Sequence, residues 1–312
     1  MNEEVKVSVC VVTYNQEKYI AECIDSIIKQ KCSFKYEILI SDDASTDKTP
    51  EIIKRYKDNY PELIKVKCRG DNVGPTRNIL ELYSIASGQY ISHVDGDDLL
   101  FEDKLQKQAD LLDSNPGCFI SSHAVLKVDD KSISTGNKSG DKINGIKDYY
   151  YLVENLPFFA HSSKMFRNNK IYIKVSDEIF DFELHLIHAK NGDIIHTNEI
   201  LGAYRVGVGV ATGSGRLNEK MVSAKFKVYD SILLDADHTY HSKIKKSYSK
   251  SALNYAVFSY CMQDFEFFNS CINKSISIDL LGFKQMFFYF LKFIPSAVNK
   301  KISPHMNRVF LK

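Results

Sequence analysis

The sequence has no run of about 18 apolar residues, so we expect no transmembrane helix. Its first residues, Met1 to Glu4, are polar and lead directly into a predicted strand, which differs from the pattern of a signal peptide. Neither sign of charge dominates: the sequence has 41 basic and 39 acidic residues, for a formal net charge of +2. This balance does not support nucleic-acid binding. We therefore expect a cytoplasmic protein.

Two kinds of motif are also lacking. The seven cysteines include no pair with C-x-x-C spacing, and their number is odd, which favours free thiols in a reducing compartment. No G-x-G-x-x-G follows the first predicted strand, and a dehydrogenase would need that motif to bind its dinucleotide. What the sequence does have is 312 residues, 44% of them hydrophobic, which is enough for one large domain or two smaller ones with a buried core.

Strand and helix patterns alternate four times over the first part of the chain. Residues 5–13 are rich in β-branched side chains and almost continuously apolar, which predicts a strand buried on both faces. Further strands are predicted at 36–40, 63–67 and from Tyr90, with helices at 19–28, from Pro50 with Thr49 as its cap, and at 76–87. The alternation predicts an α/β fold with a mostly parallel, Rossmann-like central sheet flanked by helices.

The second half of the sequence is less regular. It predicts, in order, a helix over 99–112, a strand over 118–128, a mobile polar loop over 129–147, a strand over 160–166, a helix over 180–190, and short strands at 194–196 and 200–204. A glycine-rich segment, 207–215, is expected to move. From Leu217 the pattern is helical, so we expect a helical C-terminal extension after the α/β part.

Three carboxylates follow the fourth strand within four residues: Asp95, Asp97 and Asp98. Acids this close repel one another, and a hard divalent cation such as Mn²⁺ or Mg²⁺ would relieve that repulsion. Such an ion binds oxygen ligands, often one or two carboxylates plus substrate phosphates. Gly96 lets the backbone bend and a bulky ligand approach. The alternative is a solvated acidic turn that caps the next helix.

Polar side chains also follow the first and second strands. Thr13, Tyr14 and Asn15 offer hydroxyl and amide groups that can contact a base or a ribose, although they also suit an ordinary turn. Asp42 and Asp43 can accept from a base imide or a ribose hydroxyl, or can cap the helix that follows. Ligands of such sheets bind beyond the carboxyl ends of the strands, so these groups and the acidic stretch are expected to face one site.

Arg77 is a cation in the first turn of a predicted helix, where its charge opposes the helix dipole. This local misfit indicates an anionic partner such as a diphosphate. Asp95 and Asp97 would then hold a metal ion against that diphosphate.

Four segments taken together resemble a known family. They are Val-Ser-Val-Cys-Val-Val-Thr-Tyr-Asn-Gln at 7–16, Glu-Ile-Leu-Ile-Ser-Asp-Asp-Ala-Ser-Thr-Asp at 37–47, Asn-Val-Gly-Pro-Thr-Arg-Asn at 72–78 and Ile-Ser-His-Val-Asp-Gly-Asp-Asp at 91–98. In order and spacing they resemble the family 2 glycosyltransferases of the GT-A fold, of the bacterial cell-surface polysaccharide type. Residues 181–192 and the Ala-Tyr-Arg that ends at Arg205 resemble later segments of the same family.

The resemblance implies an inverting transfer of a sugar from a nucleoside diphosphate sugar, most often a UDP-sugar, to a hydroxyl of a glycan or lipid-linked glycan. It implies nucleotide contacts from Tyr14, Asp42 or Asp43, Arg77 and Asp95. Asp95 with Asp97 would form the Mn²⁺ or Mg²⁺ site, and Asp181 would be the catalytic base. The chemistry agrees, because the attacking hydroxyl must lose a proton and the leaving diphosphate gains charge that a metal neutralises.

The resemblance also implies a division of the chain into three parts. Residues 1–98 would form the nucleotide-sugar-binding half of the GT-A domain and residues 99–216 its acceptor-binding half. Residues 217–312 would be the helical extension, which matches nothing diagnostic of the family.

Two positions depart from the family pattern. The family usually has Glu-Asp where this chain has Phe180-Asp181, so Glu183 and Asp177 stand as alternative bases. Without the resemblance, Asp181 would be interpreted as an acid in the first turn of a helix, where its charge interacts favourably with the helix dipole. A histidine that the family often places two residues after the Tyr-Arg pair is Gly207 here, so no metal contact is expected from that loop.

Two other functions compete with sugar transfer. A nucleotidyltransferase has the same type of sheet and also uses paired acids, but it typically has a glycine-rich basic loop after the first strand, where this chain has Tyr14-Asn15-Gln16-Glu17. The non-enzymatic alternative is a degenerate relative that binds a sugar nucleotide without turnover. The presence of Asp95, Asp97 and Asp181 argues against it.

Residues 276–294 concentrate large apolar side chains into one predicted helical stretch, with lysines among and after them. A helix buried in the core is the ordinary interpretation. The aromatic content next to basic residues also suits a membrane interface, which predicts peripheral attachment to the cytoplasmic face of the membrane, the inner leaflet.

Overall fold

The structure is a computed structural model that describes residues 4–169, 179–208 and 217–310. Contacts divide the chain into two compact units. The first consists of residues 1–152 and 156–209, and the second of residues 153–155 and 210–312. The first unit contains the sheet, and the second is helical.

The first unit begins with the alternation that the sequence predicts. Its strands are β1 (Val7–Thr13), β2 (Tyr36–Asp42), β3 (Ile64–Cys68) and β4 (Tyr90–Asp95), and its first helices are α1 (Ile20–Ile28), α2 (Thr49–Asn59) and α3 (Pro75–Ile85). The four strands are parallel and lie in the order β3-β2-β1-β4. The predicted α/β class with a mostly parallel sheet is therefore confirmed.

The core of this unit explains why the first strand is apolar on both faces. Val7, Val9 and Val11 of β1 are completely buried, and so is Cys10, which points to the opposite side of the sheet. Helix α1 covers one face with a buried stripe at the spacing of an amphipathic helix: Ile20, Cys23, Ile24 and Ile27.

The rest of the first unit extends the sheet. The elements are β5 (Leu99–Leu100), α4 (Lys104–Ser114), β6 (Cys118–Val128), β7 (Ser134–Ser139), β8 (Gly145–Lys147), α5 (Tyr149–Glu154), a 3₁₀ helix (His161–Ser163), β9 (Met165–Arg167), α6 (Asp181–Ala189) and β10 (Asp193–Arg205). The sheet continues from β4 through β9, β6 and β10 to β5. Strand β9 is antiparallel to β4 and β6, whereas β10 runs parallel to β6.

Several predicted elements of this part differ from the structure. The helix expected from Leu99 begins at Lys104, because Leu99 and Leu100 pair with β10 as a short strand. The polar segment 129–147, expected to be a loop, contains β7 and β8, which pair with β6 and β10. The two strands expected at 194–196 and 200–204 form one strand with irregular pairing around Thr197. The segment 160–166 is a 3₁₀ turn followed by β9.

The second unit consists of helices, as the sequence predicts from Leu217. They are α7 (Glu219–Asp235), α8 (His238–Cys261), α9 (Phe265–Ile278), α10 (Phe283–Leu291) and α11 (Ser296–Phe310). Asn218, Asp237 and Asp264 cap the first three by accepting from backbone N–H groups of the opening turn. Within the described ranges, no helix combines the length and the apolar content that crossing a bilayer requires.

The single helical stretch expected over 276–294 is interrupted in the structure. Gly282 has a φ of +120°, a conformation that favours glycine, and it separates α9 from α10. The Gln285 side chain stabilises the break, because its oxygen accepts from Leu281 N at 2.8 Å and its amide donates to the Asp279 carbonyl at 2.9 Å.

Glu37 is a buried carboxylate of β2 that joins three segments of the first unit. It accepts from Ser8 Oγ at 2.7 Å, from Ser87 N and Oγ at 3.0 and 2.6 Å, and from Lys65 Nζ at 2.7 Å. Burial alone would raise the pKa of Glu37, but these donors outweigh it and lower the pKa to about 2, from a usual 4.5. The ionised form of Glu37 therefore stabilises the fold.

We expect Glu37→Gln to lower the free energy of unfolding at pH 7 by about 2 kcal/mol, since Lys65 is exposed enough for solvent to screen its part of the interaction. The folded pKa lies below the unfolded one, so the Glu37 contribution is fully present above pH 4.5 and is lost as the pH falls towards 2. Urea denaturation at several pH values measures it. The exposed Glu62→Gln is the control, and parallel pH profiles for wild type and Glu37→Gln would contradict the assignment.

Candidate functional site

The carboxyl ends of three neighbouring strands bring the predicted polar groups to one edge of the sheet. Thr13 of β1 is paired with Asp42 of β2, and Val12 is paired with Asp95 of β4. Paired strands lie about 5 Å apart. Residues more than eighty positions apart in sequence thus line a common edge, at the place where α/β sheets bind ligands.

Asp95 is held by donors on both carboxylate oxygens. His93 Nε2 lies 3.2 Å from Oδ1, and Ser162 Oγ donates to Oδ2 at 3.1 Å. Tyr83 OH lies 2.8 Å from His93 Nδ1, so a tyrosine that donates there leaves the His93 proton on Nε2, facing Asp95. Burial would raise the pKa of Asp95, but His93 and Ser162 outweigh it and the pKa falls below its usual value. Asp95 is thereby fixed as an oriented carboxylate.

Asp97 and Asp98 show the cost of placing acids together. Burial, with the charge of Asp95 added, raises the pKa of Asp97 to about 6. Burial and both neighbouring acids raise the pKa of Asp98 well above its usual value. Asp98 is turned inwards and accepts from the backbone N of Arg205 at 2.9 Å, so it belongs to the frame of the site. Asp95 and Asp97 are the pair that remains for a ligand.

The residues present fit a divalent cation in one respect and limit it in another. Asp95 and Asp97 supply hard oxygen donors whose mutual repulsion a cation would remove. Among the described residues, no group of three or more His, Cys, Asp or Glu side chains has the geometry to hold a metal ion. An ion here would therefore need its remaining ligands from a bound ligand or from water.

Gly96 is required by close packing beneath the acids. A Cβ at this position would lie 2.4 Å from Gln16 Oε1 and 3.0 Å from Thr13 Cβ. Thr13 Oγ1 donates to that same Gln16 oxygen at 2.7 Å. Thr49, expected to cap α2, lies inside the helix, and its hydroxyl oxygen accepts from Gln16 N at 2.9 Å. Thr13 and Gln16 thus pack directly against Gly96 of the acidic turn.

Arg205 connects the acidic turn, residues 95–98, to distant segments by hydrogen bonds, a role that the sequence did not predict. Its side chain is fully buried. Nε donates to the Asp97 carbonyl at 2.8 Å, and Nη2 to Glu22 of α1 at 3.0 Å. Nη1 donates to the Asp129 carbonyl and to Ser132 Oγ. The only hint in the sequence was the Tyr-Arg pair of the resemblance, since the partners lie up to 183 positions away.

Thr13 to Asn15 and Asp42 enclose the loop after β2. Asn15 Oδ1 accepts from Thr46 N at 2.8 Å, and Asn15 N donates to Ser45 Oγ at 2.8 Å. Asp42 accepts from Ser45 N at 3.1 Å and from the Ser45 hydroxyl. Tyr14 stands at the rim with 41% of its surface exposed. Tyr14 is therefore accessible to a ligand, whereas Asn15 and Asp42 hold the loop.

Asp43 and Arg77 lie at the start of α3. Asp43 is buried and accepts from Val73 N and Gly74 N, both at 3.0 Å, so it fixes the backbone that leads into the helix. Arg77 is exposed, and its Nε donates to Glu81 at 2.7 Å. Glu81, one turn further along α3, thus neutralises the Arg77 charge that opposes the helix dipole.

Asp181 is the first residue of α6. Its side chain is accessible to solvent, yet the surrounding protein atoms raise the pKa of its carboxyl group, and the charge of Asp95 adds to this. Lys164 and His93 act in the opposite direction, so Asp181 lies within electrostatic reach of the Asp95 cluster. Glu183, an alternative base, accepts from Phe180 N at 2.8 Å and caps the helix. Asp177, the other alternative, lies outside the described residues, as do residues 209–215 of the glycine-rich segment.

Lys164 and Tyr204 complete the surroundings of these acids. Lys164 is completely buried, and that burial lowers its pKa to about 7, while Asp181 and Asp95 partly offset the effect. Burial raises the pKa of Tyr204, and the carboxylates Asp98, Asp95 and Asp181 raise it further. Lys164 carries no sequence signal, because a lysine in a predicted strand is normally interpreted as a surface position, whereas Tyr204 is marked only by the Tyr-Arg pair of the family resemblance.

Comparisons with known proteins identify the family and the fold of this chain. The sequence model described as Glycosyl transferase family 2 matches residues 8–172. An uncharacterized protein of Mycobacterium tuberculosis, Rv1520, is 32% identical over 206 residues, which are 64% of this chain. The match spans only 58% of the length of that relative. Staphylococcus aureus TarS, a poly(ribitol-phosphate) beta-N-acetylglucosaminyltransferase, is 32% identical over 112 residues, 35% of this chain and 19% of TarS.

Two solved structures share the fold. TarS residues 1–349 in complex with UDP-GlcNAc superposes with a TM-score of 0.69 at 19% identity, covering 97% of this chain and 92% of that one. The mannosyltransferase PcManGT of Pyrobaculum calidifontis, in complex with GDP-Man and Mn²⁺, superposes with a TM-score of 0.60 at 16% identity, covering 98% and 86%. At these identities the likeness establishes the fold. Because the family model covers more than half of the sequence, the chain belongs to glycosyl transferase family 2.

Proposed function

We propose that this chain transfers a sugar from a nucleoside diphosphate sugar to a hydroxyl of a glycan or lipid-linked glycan, with inversion at the anomeric carbon. The observation that carries the proposal is that Asp95 and Asp97 lie together at the carboxyl end of β4, and that the charge of Asp95 acts on both Asp97 and Asp181. Inverting transfer needs a charge-neutralising group on the leaving diphosphate and a base on the acceptor side, and these acids supply both.

The nucleotide would lie against the ends of β1 and β2. The exposed Tyr14 ring offers a stacking surface for the base. Thr13, Asn15, Asp42 and Asp43 surround the loop that would cradle the ribose and base. Uridine is the favoured base, because TarS binds UDP-GlcNAc in the same fold. Arg77, in the first turn of α3, would exchange Glu81 for the diphosphate.

The metal site would be built on Asp95 and Asp97. When bound, Mn²⁺ or Mg²⁺ neutralises the charge that develops on the leaving diphosphate; the complex of the Pyrobaculum enzyme with Mn²⁺ supports that requirement. His93 and Ser162 orient Asp95, so one lone pair on each oxygen is used before any ligand arrives. Arg205 fixes the Asp97 backbone by donating a hydrogen bond to its carbonyl.

Asp181 would remove the acceptor proton. It is accessible to solvent at the start of α6, and its raised pKa makes it a stronger base than an ordinary aspartate. Lys164 counters the charge of Asp181, which keeps the carboxylate available at neutral pH. In this arrangement residues 1–98 bind the nucleotide sugar, residues 99–216 bind the acceptor, and residues 217–312 form an extension. We place the reaction in the cytoplasm, in cell-surface polysaccharide synthesis.

A sugar-nucleotide-binding protein without turnover is the competing function. Hydrolysis of the donor by water separates the two, since an active transferase releases free sugar slowly even without its acceptor. The donor for this assay is chosen from a thermal-shift panel of sugar nucleotides with and without Mn²⁺, because a bound donor raises the melting temperature by mass action. If no sugar nucleotide both stabilises the protein and is hydrolysed, the result favours the competing function.

We expect Asp97→Asn to abolish the Mn²⁺-dependent part of UDP affinity, and Asp95→Asn to weaken it to a lesser degree, because each removes a charged ligand of the ion. The fold survives, since the amide keeps the size of the carboxylate. Isothermal titration with UDP, with and without Mn²⁺, measures the effect. Asp58→Asn, exposed on α2, is the matched control, and unchanged Mn²⁺-dependent affinity in Asp97→Asn would overturn the metal site.

We expect Asp181→Asn to lower turnover by roughly two to four orders of magnitude, the usual contribution of a positioned general base. Donor affinity should hardly change, because Asp181 is assigned to the acceptor side. Donor hydrolysis under saturating donor gives the rate, and the thermal shift gives the affinity. Asp193→Asn, exposed at the start of β10, is the control. Activity near that of the wild type would move the base to Glu183 or Asp177.

A further inference from the structure

Helix α10 is apolar on two opposite sides. Gln285, Phe288 and Leu291 face the core of the second unit and are buried. On the other side, Phe283 and Phe290 expose 86% and 60% of their surface, and Phe287 between them is also exposed. These three phenylalanines have the i, i+4, i+7 spacing of one helical stripe. A surface helix in water normally presents polar residues there. The stripe therefore indicates a surface that another molecule or a membrane covers.

The segments on both sides of this helix also expose apolar side chains. Leu280 precedes it, and Phe293 and Val298 follow it, all three exposed. We call these six residues, from Leu280 to Val298, the phenylalanine face. Isolated apolar side chains on a surface are ordinary, but six exposed ones within nineteen residues of sequence indicate a contact with a partner or a membrane.

The segment that carries this face, from Leu280 onwards, contains charged residues of one sign only. From residue 280 to residue 312 the sequence has no Asp or Glu, and it has six basic residues: Lys284, Lys292, Lys300, Lys301, Arg308 and Lys312. Over the whole chain, by contrast, acids and bases nearly balance at 39 and 41. Lys300 and Lys301 are exposed at the start of α11. The Lys292 ammonium lies 4.5 Å from the Tyr289 ring centroid, so basic and aromatic groups are interleaved.

We propose that the phenylalanine face binds the surface of an anionic lipid bilayer. The aromatic rings would enter the boundary between headgroups and acyl chains, and the lysines would remain among the anionic headgroups. A second copy of the chain fits less well, because two such faces would bring like charges together. The helix has nine residues and lies on the membrane rather than crossing it. No residue of the face belongs to the candidate site, so the proposal does not depend on the proposed function.

The test is co-flotation of the full-length chain with vesicles of neutral phosphatidylcholine or of phosphatidylcholine with phosphatidylglycerol. The wild type should float with the anionic vesicles, remain at the bottom with the neutral ones, and be released by high salt. Phe283→Ser/Phe290→Ser should lower the partition coefficient by at least roughly tenfold, because the rings no longer leave water. Lys300→Gln/Lys301→Gln should lower it by roughly 25-fold, about fivefold per lysine.

Two controls match these variants. Leu234→Ser removes an apolar side chain that is also 86% exposed, on α7, and Lys245→Gln/Lys246→Gln removes two exposed charges from α8. Both should bind vesicles as the wild type does, and thermal unfolding checks that every variant is folded. A wild type that stays at the bottom with both vesicle types would overturn the proposal. So would a wild-type dimer that Phe283→Ser/Phe290→Ser converts to a monomer without changing flotation.

Discussion

The site rests on a crowding of negative charge at the end of β4 that the surrounding structure holds in place. Three carboxylates within four residues would spread apart if the chain were free to let them. His93 and Ser162 orient Asp95, Arg205 holds the Asp97 backbone, and Asp98 is turned into the protein. Burial and the charge of Asp95 raise the pKa of Asp97, so the fold disfavours the ionised form of Asp97 when no cation is near.

Much of this could be predicted from the sequence because the determining features are local. A strand that is apolar on both faces, such as β1, and a strand that ends in acids, such as β4, are each visible within ten residues. Parallel pairing then brings Thr13, Asp42 and Asp95 to one edge with no further information. The family resemblance added the order of the motifs and directed attention to Asp181, which α6 carries well outside them.

The parts that could not be predicted depend on contacts across the chain. Ser162 lies 67 positions from Asp95, and Glu22 lies 183 positions from Arg205, so no pattern in either neighbourhood announces the pairing. Strand β7 was missed for another reason. Its sequence, Ser-Thr-Gly-Asn-Lys-Ser, has no apolar alternation, and it is a strand because its backbone pairs with β6. Hydrophobic periodicity reports burial, and an edge strand exposed on both faces has little of it.

The Arg205 guanidinium has a consequence for how mutational data on this fold should be interpreted. Its hydrogen bonds connect Glu22 on α1, Ser132 after β6 and the carbonyl of Asp97 through a single planar group. Glu22 and Ser132 also contact each other at 2.6 Å. A substitution at either position would therefore disturb the backbone of the acidic turn, although neither residue belongs to that turn. In an alanine scan scored by activity, such positions would be mistaken for substrate contacts, and a lowered stability of the same variants identifies them as supports.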